Sequence, residues 1–350
     1  MRLRAPVTAG PLLILVASTA SGGAPGHVPG DGGTDGEGRS SVPDPSASDR
    51  DGAGAYDTLQ AGGQTRSFYV HEPAGSHSGP VALVIVYHGG LGSPQRIAAQ
   101  TGFTAVADRN GFAVAYPASI DHWNDGRDST AQFGDDTAFT SALIDHLVAT
   151  AGVDRRRVYV TGVSNGGMMV LRLACERADA IAAFAAVAAS FPDTYMSRCR
   201  PARSVPIMII HGRDDRLIPE EGATIPGGNL RLGGIIQPLR DTLEFWRKHD
   251  RCEQKPTTRN LPDTSDDGTT VQVTEYSGCA PDVAVTFVDI IGGGHTWPGA
   301  RVNPVGQVSG RVSRDIDGTQ FIWDFFRKYA LDGSSRGAGR TGNEQHGVAQ

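Results

Sequence analysis

The chain has 350 residues, 39% of them hydrophobic and 20% charged, which is enough for one substantial α/β domain once its ends are set aside. Its formal charge is −6, and no cluster of lysines and arginines with interleaved aromatics occurs, so a nucleic-acid partner is not expected. The short run Arg155 to Arg157 reads as solvated loop charge.

Arg2 and Arg4, the apolar run Pro11 to Ala17 and the small residues Ser18 to Ala20 have the pattern of a secretory signal over residues 1 to 20. The apolar run is too short to span a bilayer, so no transmembrane segment is expected and the localisation implied is extracellular. Loss of that segment removes two arginines and takes the formal charge from −6 to −8. Residues 21 to 53 follow as a Gly/Pro/Asp/Ser stretch with almost no aliphatic side chains, which reads as a linker. The catalytic domain is expected over 54 to 331, followed by a polar, glycine-rich tail over 332 to 350.

Tyr56 to Leu59 and Arg66 to His71, separated by a glycine turn, predict an antiparallel opening hairpin. Strand patterns near 81–87, 112–116, 157–161, 181–187, 206–210 and 283–290 then alternate with helical ones, predicting a mostly parallel sheet with helices on both faces. One helix is expected between Ser93-Pro94 and Asn110-Gly111, another capped by Asp135 or Asp136, and a last one from Gly318 to Tyr329 whose aromatics serve packing.

The strand near 157–161 runs through Gly162-Val163-Ser164-Asn165-Gly166 directly into a helical run. Such a sharp strand-to-helix turn exposes its central residue above a sheet, and glycines two positions either side relieve the crowding. Ser164 is the candidate nucleophile. A serine hydroxyl needs an imidazole to take its proton and a carboxylate to orient that imidazole, and both should follow Ser164 at strand ends. His295 supplies the base, and Asp214 or Asp215 the acid, since spacing does not separate adjacent carboxylates. The oxyanion hole is expected from the N–H of Asn165 and from Gly90, with Leu91 as the alternative, in the loop after the 81–87 strand. Activity is expected to rise with pH through a group near ~6.5, the unperturbed histidine value.

His88-Gly89-Gly90, Gly162 to Met169, His211 to Asp215 with Pro219, and Gly293 to Gly299 together resemble the α/β-hydrolase group of polyhydroxybutyrate depolymerases and feruloyl or acetylxylan esterases. The resemblance covers about residues 56 to 330, implies the α/β-hydrolase fold, and selects Asp215 as the acid. It implies a secreted serine carboxylesterase working through an acyl-enzyme on hydroxyalkanoate, hydroxycinnamoyl or acetyl esters, without a cofactor. Nothing beyond residue 330 resembles a polymer-binding module, so oligomeric esters are expected over solid polymer. Acyl transfer to a cell-wall alcohol and a non-catalytic surface scaffold are the alternative readings. The glycine-rich stretch 220 to 234 departs from the group's pattern.

Trp123, in the long loop 117 to 134, and Trp297, beside the candidate base, are candidates to bind substrate by stacking, the alternative being that each is a wedge fixing its loop, whereas Asn124 and Asp125 read as ordinary turn residues. Four cysteines in an exported chain allow three pairings. The inferred strand order favours Cys175 with Cys199 and Cys252 with Cys279. No Cys-x-x-Cys or paired-histidine spacing points to a metal site.

Overall fold

The computed structural model describes residues 56–73, 79–225, 233–302 and 309–332. The expected signal 1–20, the linker 21–53 and the tail beyond residue 332 lie outside the described residues, as do residues 226–232 of the glycine-rich stretch.

Near-continuous apolar runs build the interior of the sheet. The strands in chain order are β1 (Asp57–Ala61), β2 (Gln64–His71), β3 (Val81–Tyr87), β4 (Phe112–Pro117), β5 (Val153–Val163), β6 (Ala183–Val187) and β7 (Ile207–Gly212). They continue with β8 (Ala223–Ile225), β9 (Gly234–Ile236), β10 (Thr257–Asn260), β11 (Thr270–Tyr276) and β12 (Val285–Ile291). The main sheet has the order β1-β2-β4-β3-β5-β6-β7-β12-β11-β10, while β8 and β9 form a separate antiparallel ribbon. The run from β4 to β12 is parallel, and β2 with β1 and β11 with β10 flank it in antiparallel pairing. In β3, Leu83, Ile85 and Tyr87 join one buried cluster and Ala82, Val84 and Val86 the other. An interior parallel strand covered by helices on both faces must be apolar on both.

The helices are α1 (Pro94–Thr101), α2 (Phe103–Asn110), α3 (Asp136–Thr150), α4 (Asn165–Glu176), the single turn α5 (Asp193–Met196), α6 (Leu239–His249) and α7 (Gly318–Phe326). The one helix expected between 93 and 111 is two. Gly102 takes φ 67° and donates its N–H to the Ala98 carbonyl, a left-handed cap that ends α1 and redirects the chain. Asp135 caps α3 by accepting the Ala138 N–H at 2.9 Å. On α7, Phe326 stacks on Tyr159 of β5 at 5.1 Å between centroids, so these aromatics are core.

Disulfides join Cys175 on α4 to Cys199, and Cys252 after α6 to Cys279 after β11. Among the described residues no helix is long and apolar enough to cross a membrane.

Candidate active site

Three loops at the carboxyl ends of parallel strands carry the candidate residues. Ser164 stands between β5 and α4 with φ 58° and ψ −123°, a strained conformation for a residue with a side chain. Its neighbours leave no alternative. A Cβ on Gly166 would lie 2.4 Å from the Tyr87 carbonyl oxygen, and one on Gly162 would lie 2.7 Å from the Gly166 carbonyl oxygen. The turn can be this tight only because both positions lack side chains. Ser164 N–H donates to the Val187 carbonyl at 3.0 Å, which ties the turn to β6.

Asp215 follows β7 and is 3% exposed, whereas Asp214 is exposed. Asp215 Oδ1 accepts the N–H groups of Leu217 and Ile218, each at 2.8 Å, and Oδ2 lies 2.7 Å from His295 Nδ1. With Nδ1 donating to that carboxylate, His295 Nε2 is left as an acceptor. His295 is held by its own N–H on the Ser309 carbonyl at 2.5 Å. The glycine before it is required, because a Cβ on Gly294 would meet the same carbonyl oxygen at 2.0 Å. Behind Asp215, buried His211 donates from Nε2 to the Ile218 carbonyl at 2.8 Å. Its pKa is lowered by burial, so it stays neutral beside the carboxylate.

Ser164 and His295 line one cavity of about 370 Å³ together with His88, Gly89, Gly90, Leu91 and Leu217. Asn165 opens α4, so its N–H has no acceptor within the helix and points with the helix dipole toward the start of the helix. Gly90 lies in the cavity lining, next to Leu91, which has φ 58°. His88 is 2% exposed with Nδ1 2.7 Å from the Gly89 carbonyl, and burial pushes its pKa down to about 4.

The two tryptophans do not face this cavity. Trp123 is 0% exposed, donates from Nε1 to the His88 carbonyl at 2.8 Å and meets Tyr87 edge to face. Trp297 is 1% exposed, donates to Thr319 Oγ1 at 3.0 Å and packs on Phe103. Each is a wedge that fixes its loop, and the expectation that they stack on substrate is corrected by their burial.

Asp125 also departs from the expectation of an ordinary turn. It is 0% exposed and accepts from Arg127 Nη2 at 2.7 Å, Thr130 Oγ1 at 2.9 Å and Asn165 Nδ2 at 2.6 Å. Asn165 also accepts the Trp123 N–H at 2.9 Å and donates to the Trp123 carbonyl at 3.0 Å. Asn124 N–H is held by Asp136, itself paired with Arg66 at 2.6 Å. The residue expected to supply an oxyanion donor is therefore clamped by its side chain to the 117–134 loop. No local pattern signals this, since the partners are 40 and 42 residues away.

Residues 66–232 match the model of the esterase PHB depolymerase family. A relative from Nocardia uniformis subsp. tsuyamanensis named "Putative esterase NocK" is 32% identical over 279 residues, covering 75% of this chain and 79% of that protein. Feruloyl esterase B of Piromyces equi is 27% identical over 76% of this chain, and the bifunctional acetylxylan esterase/xylanase XynS20E of Neocallimastix patriciarum 26% identical over 80%. The chain spans 46% and 36% of those two proteins' own lengths. The structure of an acetyl xylan esterase from Aspergillus awamori superposes with a TM-score of 0.54 over 79% of this chain and 100% of that one, at 15% identity, a likeness of fold alone. With a parallel sheet of α/β-hydrolase type and a 32% identical relative covered over most of its length, the chain is a carboxylic ester hydrolase belonging to the esterase PHB depolymerase family.

Proposed function

We propose that Ser164, His295 and Asp215 form the catalytic triad of a secreted carboxylesterase. The observation that carries this reading is the 2.7 Å contact from His295 Nδ1 to buried Asp215, with His295 lining the same cavity as the strained Ser164. His295 Nε2 takes the proton of Ser164 Oγ as that oxygen adds to the ester carbonyl. The N–H groups of Asn165 and Gly90 receive the developing oxyanion, where one such donor is worth ~10²–10³ in rate. The tetrahedral intermediate expels the alkoxide, which takes the proton from His295. Water, deprotonated by the same imidazole, then releases the acid from Ser164.

Two disulfides support an extracellular setting, since thiols are kept reduced inside cells. The catalytic domain is proposed over 54 to 331, with an export signal before it. The substrates proposed are hydroxyalkanoate, feruloyl or acetyl esters.

The test compares methyl ferulate with a 3-hydroxybutyrate trimer, using the purified chain and Ser164→Ala as control. Preference for ferulate assigns polysaccharide esters and preference for the trimer assigns polyester fragments. Hydrolysis that survives Ser164→Ala refutes the triad.

A further inference from the structure

We infer that Arg96 forms a carboxylate subsite at the mouth of the catalytic cavity, selecting esters whose leaving alcohol carries a free carboxylate. The inference rests on the esterase reading. Among the described residues lining that cavity, Arg96 is the one arginine or lysine, and no aspartate or glutamate lines it. Its Nη1 donates to the Leu91 carbonyl at 3.3 Å, which seats the guanidinium against the loop that carries Gly90. Among the described residues it has no carboxylate partner, unlike Arg66, Arg127, Arg172 and Arg213, which pair with acids.

Gln100 follows one helical turn later on α1 and lines the same cavity, so its amide shares the face that presents the guanidinium. The apolar side chains that line the same cavity are Leu91, Ile97, Val163 and Leu217. A short aliphatic unit fits such a wall, with a carboxylate at its far end reaching a planar, permanently charged fork. A cavity of about 370 Å³ keeps Arg96 and Ser164 within the length of one small ligand. In a chain of formal charge −6, a lone cation here also opposes the general repulsion of an acidic substrate.

A hydroxyalkanoate oligomer cut at its last ester bond meets this description, because the departing alcohol is a hydroxy acid. The chemistry is the hydrolysis already proposed: the ester C–O bond breaks, the alkoxide takes the proton held by His295, and no bond to the carboxylate changes.

The experiment measures kcat/KM for a 3-hydroxybutyrate trimer as free acid and as its methyl ester, in wild type, Arg96→Gln and Arg96→Lys at pH 7.5. The free acid should be preferred in wild type, and the ratio of acid to ester should fall roughly 5- to 10-fold in Arg96→Gln, with Arg96→Lys in between. Raising salt to about 0.5 M should shrink the wild-type ratio and leave the Arg96→Gln ratio still. Damage to the fold lowers both rates together and leaves the ratio standing. A wild-type ratio at or below one, or a preference that survives Arg96→Gln, overturns the subsite. Absence of Ser164-dependent turnover of the trimer in both forms overturns the subsite, and it overturns the esterase reading as well when methyl ferulate is also left unhydrolysed.

Discussion

Asp125→Ala tests whether the clamp behind Asn165 is structural, catalytic or both. The carboxylate accepts from the Arg127 backbone N–H and side chain, from Thr130 and from Asn165, all buried. Its removal leaves the guanidinium of Arg127, 6% exposed, without its carboxylate, and breaking a buried pair from one side costs about 3–5 kcal/mol. For a catalytic domain spanning 54 to 331, unfolding entropy of about 2.1 cal/mol/K per residue turns that into a fall in Tm of roughly 5–9 °C. The double variant Asp125→Ala with Arg127→Met removes the charge that has lost this carboxylate and should recover about half of the loss. The same substitution releases the Asn165 amide, so kcat should fall between ~10-fold and the ~10³-fold of a lost oxyanion donor, in single and double variants alike. Thermal unfolding followed by circular dichroism, with p-nitrophenyl butyrate turnover, reads both quantities. A single-variant loss under about 1 kcal/mol, or a kcat restored along with stability in the double variant, would refute the reasoning.

Three further outcomes are expected. Folded His88 remains neutral down to about pH 4 because it is buried, while the unfolded chain protonates it near ~6.5. The unfolded state binds more protons in that window, so stability is full above ~6.5 and declines by about 3 kcal/mol as pH falls to ~4, with buried His211 acting in the same direction. Urea unfolding at pH 4.5 and 7 checks this, and His88→Asn should flatten the slope. Gly166→Ala places a methyl 2.4 Å from the Tyr87 carbonyl oxygen and 2.5 Å from that of His88, backbone atoms on both sides. It should cost about 1–3 kcal/mol or more and displace Ser164, read as lost labelling by a serine-directed phosphonate. Replacing Cys175 and Cys199 together by alanine opens a 24-residue separation and should cost about 3 kcal/mol, measured as a lowered urea midpoint.

Features governed by local sterics were legible in the residues. Glycines two positions either side of Ser164 announce a turn that tolerates no side chain there, and the close approaches of Gly162 and Gly166 are the reason. The aliphatic runs that make β3, β5 and β7 are buried on both faces, so they read as parallel interior strands without knowledge of their partners. Gly102 stands in the same sequence, yet it does not by itself announce the break between α1 and α2, because a lone glycine within a helical pattern is compatible with either outcome.

Side-chain roles that depend on remote partners were decided only by tertiary structure. Trp123 lies in a polar loop and could have faced solvent or substrate, but docking of that loop on Tyr87 and His88 buries it. Asp125 became a buried acceptor once α4 placed Asn165 beside it, across 40 residues of chain. Asp214 and Asp215 are adjacent and chemically identical, and apart from the family resemblance it is the position of the His295 loop that distinguishes them, turning one toward the imidazole and leaving the other in water. Backbone turns answer to neighbouring residues, whereas burial and partnership answer to whichever segment the fold brings alongside.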